Sequence, residues 1–181
     1  MRRLVLTLAL AAALLAACGS GGPGKSASTE EFKKLDGAPA ALAGLYREPS
    51  ELLDGGSDAF EKRIAGLRGH PVVVNAWASW CGPCRFEFPF FQKQSVKRGK
   101  SVAFLGVNSQ DNRGDAKAFL DDYPLPFPSY EDPDGDVTRG LRVVGLPATA
   151  YYDRKGELAY LHQGGYASEA KLAEDIERYA R

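Results

Sequence analysis

Hydrophobic and polar positions along the chain alternate in patterns that predict its elements one after another. Phe60, Ile64 and Leu67 fall at i, i+4 and i+7, which predicts an amphipathic helix over residues 58–67, with Ser57 as N-cap and Arg68-Gly69 at its close. Residues 72–77 read Val-Val-Val-Asn-Ala-Trp, an apolar, β-branched run interrupted only by Asn75 and typical of a strand covered on both faces. A helix should start near Cys81 and run to about Lys97, and residues 102–108 form a second buried strand. Ala116, Phe119 and Leu120 give residues 115–123 an inward helical face, which Pro124, Pro126 and Pro128 then prevent from continuing. Residues 134–141 allow one short helix despite Gly135 and Gly140. Residues 149–152 and 158–161 flank Asp153-Arg154-Lys155-Gly156, an antiparallel hairpin signal, and Ser168 can cap a last helix bearing Leu172, Ile176 and Tyr179. Helices alternating with strands, followed by a hairpin, predict an α/β fold with a mixed central sheet flanked by helices.

Ahead of these elements the pattern is different. Met1-Arg2-Arg3 followed by an apolar run over residues 4–15 has the charged start and hydrophobic stretch of a secretory signal, too short to span a bilayer comfortably, which takes about 20 residues. Leu15-Ala16-Ala17-Cys18 resembles a bacterial lipobox, which implies cleavage before Cys18 and attachment of lipid to its thiol. Residues 19–34, rich in Gly, Ser, Ala and Lys, read as a flexible tether. The organisation expected is a lipoprotein signal over 1–17, a lipidated cysteine and tether over 18–45, and one globular domain over 46–181, held outside the cytoplasm at the bacterial cell membrane. Multiple acyl chains would make that attachment stable.

Composition narrows the function. The chain has 181 residues, 44% hydrophobic and 25% charged, with 23 basic and 23 acidic side chains. Loss of Arg2 and Arg3 with the signal leaves 21 basic against 23 acidic, so no basic field gathers phosphates and nucleic acid is not an expected partner. Three cysteines are too few for a disulfide scaffold and odd in number. With Cys18 assigned to lipid, the remaining two stand together in Trp80-Cys81-Gly82-Pro83-Cys84.

Placing Cys-X-X-Cys where a strand ends and a helix begins has chemical consequences. The first cysteine lies beside unpaired N–H groups and the positive end of the helix dipole, which stabilise a thiolate, so Cys81 is the expected nucleophile. Cys84 sits on the adjacent turn with its Cβ about 5 to 6 Å away, close enough to close a disulfide after modest movement, and is the expected resolving thiol. So short a loop adds little stability, which favours a labile bond over a structural one. Gly82 permits close approach of a partner chain, Pro83 suits the first helical turn, and Trp80 is expected to form an apolar wall over the pair.

Residues 72–84, Val-Val-Val-Asn-Ala-Trp-Ala-Ser-Trp-Cys-Gly-Pro-Cys, resemble the thioredoxin superfamily. Asn75 stands where thioredoxins proper carry a buried acid. With Arg85-Phe86-Glu87-Phe88-Pro89 following, the match is closer to the membrane-tethered TlpA/ResA-like and DsbE-like branch and its Cys-X-X-Cys-X-X-Glu-X-Pro pattern. The resemblance covers residues 57–181 and implies a thioredoxin fold. It also implies that Glu87 tunes the cysteine pair and helps move protons, that Pro89 kinks the active-site helix, and that Pro147 in Val144-Gly145-Leu146-Pro147-Ala148-Thr149 is cis and faces the dithiol. A semi-buried Glu87 would have a raised pKa and could accept a proton near neutral pH. The Leu146 backbone would then be free to pair with an extended substrate segment. Asn75 is either a polar neighbour beneath the disulfide or a satisfied core residue, and Arg85 a solvated helix residue or a docking contact.

His70 and His162 do not stand at metal-ligand spacing from the cysteines, and the acidic run at residues 131–136 reads as a solvated turn rather than a calcium loop. No cofactor is expected beyond the redox-active Cys81–Cys84 pair, and no metal. The reading is a membrane-anchored thiol-disulfide oxidoreductase acting on extracytoplasmic thiol and disulfide proteins, supplied by a membrane redox partner, with cytochrome c maturation components among the family's clients. A protein disulfide reductase is favoured over a DsbE/DsbF-like disulfide donor because Gly-Pro between the cysteines matches reducing thioredoxins. A peroxiredoxin-like peroxidase is disfavoured by Ala78, where that family has Thr or Ser. A Cu(I)-binding lipoprotein is disfavoured because its usual cysteine spacing is one residue longer.

Overall fold

A computed structural model describes residues 29–181. In chain order the elements are α1 (Thr29–Phe32), a 3₁₀ turn (Lys33–Leu35), α2 (Ala40–Ala43), a second 3₁₀ turn (Leu45–Arg47), β1 (Leu52–Leu53), α3 (Gly56–Gly66), β2 (Val72–Trp77), α4 (Gly82–Arg98), β3 (Ala103–Ser109), α5 (Arg113–Asp122), β4 (Ser129–Asp132), α6 (Asp136–Gly140), β5 (Ala148–Tyr152), β6 (Leu158–Gln163) and α7 (Glu169–Tyr179). They form one six-stranded sheet of order β1-β4-β3-β2-β5-β6. β1, β4, β3 and β2 run parallel, and β5 and β6 are antiparallel to their neighbours. This is the mixed sheet expected of a thioredoxin fold.

β2 and β3 lie in the middle of the sheet, and every residue of both is buried. Side chains alternate between faces along each strand. Val73, Trp77, Phe104 and Tyr151 pack with Phe88 and Phe91 of α4, Phe119 of α5, and Leu172 and Ile176 of α7. Val72, Val74, Leu105 and Val107 pack on the other side with Phe60 and Ile64 of α3 and Val137 of α6. Trp77 closes β2: its indole N–H donates to Ser129 Oγ at 3.1 Å, and its ring stacks on Phe119 and meets Phe88 edge-on.

Several expectations need correction. Residues 35–45, read as tether, are packed: Leu35, Leu42 and Leu45 are buried, the last two in the α3 side of the core, and Tyr46 donates its hydroxyl to Gly99 O. An apolar residue every few positions within a polar, small-residue stretch was too sparse to read as core. Ser57 is not the cap of α3; the chain enters that helix through Gly55, whose φ of 104° suits glycine. α5 starts earlier than expected, capped by Asn112, whose Oδ1 accepts from the Gly114 and Asp115 N–H groups. The acidic run is not a solvated turn throughout. Its first two residues end β4, and Asp132 is buried, accepting from Ser109, Thr138 and the N–H groups of Val137 and Thr138 at the start of α6. Those donors satisfy a carboxylate that composition alone suggested would need water. Cys18 and the signal lie outside the described residues, of which no helix is long and apolar enough to cross a membrane.

Candidate active site

The turn from β2 into α4 is fixed at both ends. Ser79 donates its backbone N–H and its hydroxyl to the Asp111 carboxylate, which also accepts from Asn108 at 2.8 Å. Cys81 donates its N–H to Ala78 O. Cys81 is the N-cap of the 17-residue α4, and its Sγ accepts the Cys84 N–H at 3.2 Å, as an N-cap side chain does. Cys81 and Cys84 are joined in a disulfide, with Cα atoms 5.3 Å apart. When that bond opens, the Cys84 N–H and the helix dipole remain aimed at Cys81 Sγ, where they favour the thiolate. Cys84 is fully buried beneath it, while Gly82 and Pro83 are exposed.

One turn further along α4, Glu87 is fully buried. Its Oε1 accepts from Asn75 Nδ2 at 2.8 Å and its Oε2 from the Tyr166 N–H at 2.9 Å. Burial raises its pKa to about 7, and the two hydrogen bonds, first from Tyr166 and then from Asn75, restrain the rise. The carboxyl is deeper than the semi-buried position expected. Asn75 is buried and lies directly against Glu87. Its Oδ1, and Thr149 Oγ1 on the partner strand at the same register, are buried polar atoms without a protein hydrogen-bond partner.

The Leu146–Pro147 peptide bond is cis, and Leu146 is half-buried. Pro147 meets the start of α4 across a segment that sequence reasoning missed. Gly164 donates its N–H to Pro147 O, and a Cβ placed on the exposed Gly165 would lie 3.4 Å from Pro147 Cγ, 3.7 Å from Glu87 Oε2 and 3.7 Å from Pro83 Cβ. The Gly164-Gly165-Tyr166 turn therefore roofs the carboxyl. Its sequence signal was only a glycine pair after a strand.

Trp80, expected as an apolar wall, is largely open to solvent. It is 63% exposed, with its indole N–H on Gln110 O, and Phe86, at 61%, is also open to solvent. Arg85 lies over the rings of Phe119 and Tyr123, at 5.1 and 5.3 Å from their centroids. Pro89 lies inside α4. Of the expected site residues among those described, Asn75, Cys81, Pro83, Cys84, Glu87 and Pro147 converge, with Gly82 and Leu146 beside them in the chain and Trp80 at the edge.

With this geometry in hand, comparison with known proteins gives consistent relatives. Residues 36–176 match the Redoxin family model. A thiol:disulfide interchange protein DsbE from Tatumella citrea is 32% identical over 186 residues, covering 95% of each chain. The thiol-disulfide oxidoreductase ResA of Oceanobacillus iheyensis is 30% identical over 103 residues, 56% of this chain and 54% of that protein. A Chlorobium tepidum crystal structure assigned to DsbE superposes with a TM-score of 0.59 at 32% identity, covering 64% of this chain and 83% of that one. In several of the curated matches the chain spans only about half the relative's length.

Proposed function

Because the chain belongs to the Redoxin family, among the thiol-disulfide oxidoreductases of the DsbE and ResA type, we propose that it is a lipid-anchored, extracytoplasmic protein disulfide reductase working through Cys81 and Cys84. The observation that carries this reading is a helix-capping cysteine bonded to Cys84 on the same helix that, one turn further on, carries a buried carboxyl whose pKa is raised to about 7.

In the reduced protein the Cys81 thiolate attacks one sulfur of a client disulfide. A Cys81–client bond forms, the client S–S bond breaks, and the departing client thiolate takes up a proton. Cys84 then gives its proton to Glu87 and attacks Cys81 Sγ, which releases the second client thiolate and closes the Cys81–Cys84 bond. Two electrons pass to the client, and a membrane partner dithiol returns them by the same exchange. Pro147, Leu146 and the exposed Trp80 would seat the client chain across Cys81, with Gly82 leaving room for its backbone. Cys18 would hold the domain at the membrane through its lipid.

Run backwards, the same steps donate a disulfide, and the reduction potential separates the two directions. A value near −250 mV or below supports the reductase, whereas one near −120 mV would make the protein a disulfide donor of the DsbE/DsbF kind. The mechanism itself is tested by Cys84→Ser, which should accumulate a covalent Cys81–client complex on incubation with a protein disulfide. Full turnover by that variant would sink the mechanism. Replacing Cys18 with Ser should release the protein from the membrane fraction.

A further inference from the structure

Glu87 has one donor from a side chain and one from a backbone, and the backbone donor is only as well placed as the loop that carries it. That loop joins β6 to α7 through Gly164, at φ +89°, and the exposed Gly165, so its own backbone supplies little restraint. The Gly164 N–H on Pro147 O holds one end. The other end is held by the Tyr166 side chain. Its ring is buried and stacks on His162, with centroids 4.1 Å apart and planes within 14°. Its hydroxyl lies 2.6 Å from Tyr151 Oη and 2.7 Å from Asp175 Oδ2 on α7. His162 Nδ1 is 3.7 Å from the same Asp175 oxygen.

We propose that Tyr166 is a positioning residue for Glu87, with Asp175 as the anchor of its hydroxyl, so that α7 acts on the active-site carboxyl through one backbone N–H. This role rests on the reading of Glu87 as the proton carrier of the cysteine pair. Asp175 hydrogen-bonds the phenol and Tyr166 delivers its N–H to Glu87, so a change at Asp175 reaches the carboxyl through the loop. With the cysteines joined in their disulfide, the titratable groups on the surrounding elements are the Tyr151 hydroxyl of β5, Tyr160 and His162 of β6, and Asp175 and Tyr179 of α7. Tyr151 and Tyr166 both have raised pKa values, caused first by burial, so their hydroxyls remain protonated donors across the neutral range.

The sign of the effect distinguishes positioning from charge. An N–H bond to a carboxylate favours its ionised form, so loosening the loop raises the Glu87 midpoint. Removing the Asp175 charge, acting through space alone, would lower it. The test is a carbon-13 NMR titration of the glutamate carboxyls in the full chain with the disulfide closed, the Glu87 signal being identified by its loss in Glu87→Gln. Thermal unfolding checks that each variant is folded. In both Tyr166→Phe, which removes a single oxygen, and Asp175→Asn, the Glu87 midpoint should move up by about half a pH unit or more. The pH profile of disulfide exchange should move with it. An unchanged or lowered midpoint in folded Tyr166→Phe overturns the proposal. The titration is read without turnover, so a chain that titrates as expected but exchanges no disulfides would overturn the proposed function and leave the positioning role standing.

Discussion

Asn75 Nδ2 donates to Glu87 Oε1 at 2.8 Å, tying the central strand to the active-site helix beneath the cysteine pair. A carboxylate in place of Asn75 would face Glu87 at hydrogen-bond distance, and two such groups cannot both ionise cheaply. In Asn75→Asp the pair should titrate in two steps, the upper above the value near 7 that Glu87 has alone. The acid limb of the pH–rate profile for disulfide exchange, where Glu87 must lose its proton to act as base, should move up accordingly. A profile indistinguishable from the parent's would count against the contact.

Glu87 should also cost stability. Its folded-state pKa is raised to about 7, so between the ordinary carboxyl value and pH 7 the unfolded chain has lost a proton that the folded one retains. Stability therefore falls as pH rises through that window and levels off above it, by about 3 kcal/mol in total. Glu87→Gln keeps the side chain's shape and an acceptor for Asn75 but has nothing to ionise. Urea unfolding at several pH values should find the variant's stability flatter from pH 4.5 to 7 and higher than the parent's at pH 8, while its exchange rate is reduced.

Gly165 separates Glu87 from the surface. The contacts a Cβ would make there, 3.4 Å to Pro147 and 3.7 Å to Glu87 and Pro83, are ordinary packing distances, so Gly165→Ala should unfold within about 0.5 kcal/mol of the parent. The added methyl group nevertheless occupies the roof over the carboxyl. Exchange with a protein disulfide should slow roughly tenfold, equivalent to about 1.4 kcal/mol of barrier. Stopped-flow tryptophan fluorescence would follow it, and a parental rate would show that the roof takes no part.

Leu42 and Leu45 belong to the folded body. Both are fully buried in the core on the α3 side, so Leu42→Ala and Leu45→Ala should each destabilise by about 2 to 5 kcal/mol. A chain starting at residue 46 loses both and should show a broadened or absent thermal transition by calorimetry. Parental stability in that truncated chain would restore residues 29–45 to the role of tether.

Local patterns in the sequence were enough for the elements that create the cysteine site. The apolar, β-branched run at residues 72–77 reads as a buried strand and a helix is expected after Cys81, and both form, because each of these signals acts between near neighbours in the chain. The same holds for the β5–β6 hairpin and for the Ser168 cap, whose Oγ accepts the Lys171 N–H. β4 was hidden because its four residues follow a run of prolines and begin an acidic stretch, and only pairing with β3 and β1 makes them a strand. The surroundings of Glu87 were equally out of reach. Its carboxyl meets Asn75 from twelve residues away and Tyr166 from seventy-nine, and the burial that lifts its pKa comes from all of them closing round it. The cysteine pair was legible in composition and spacing, and Glu87 and Pro147 entered through the family resemblance. How strongly Glu87 holds its proton was decided by tertiary packing, because desolvation and hydrogen-bond geometry depend on groups that only the folded chain brings together.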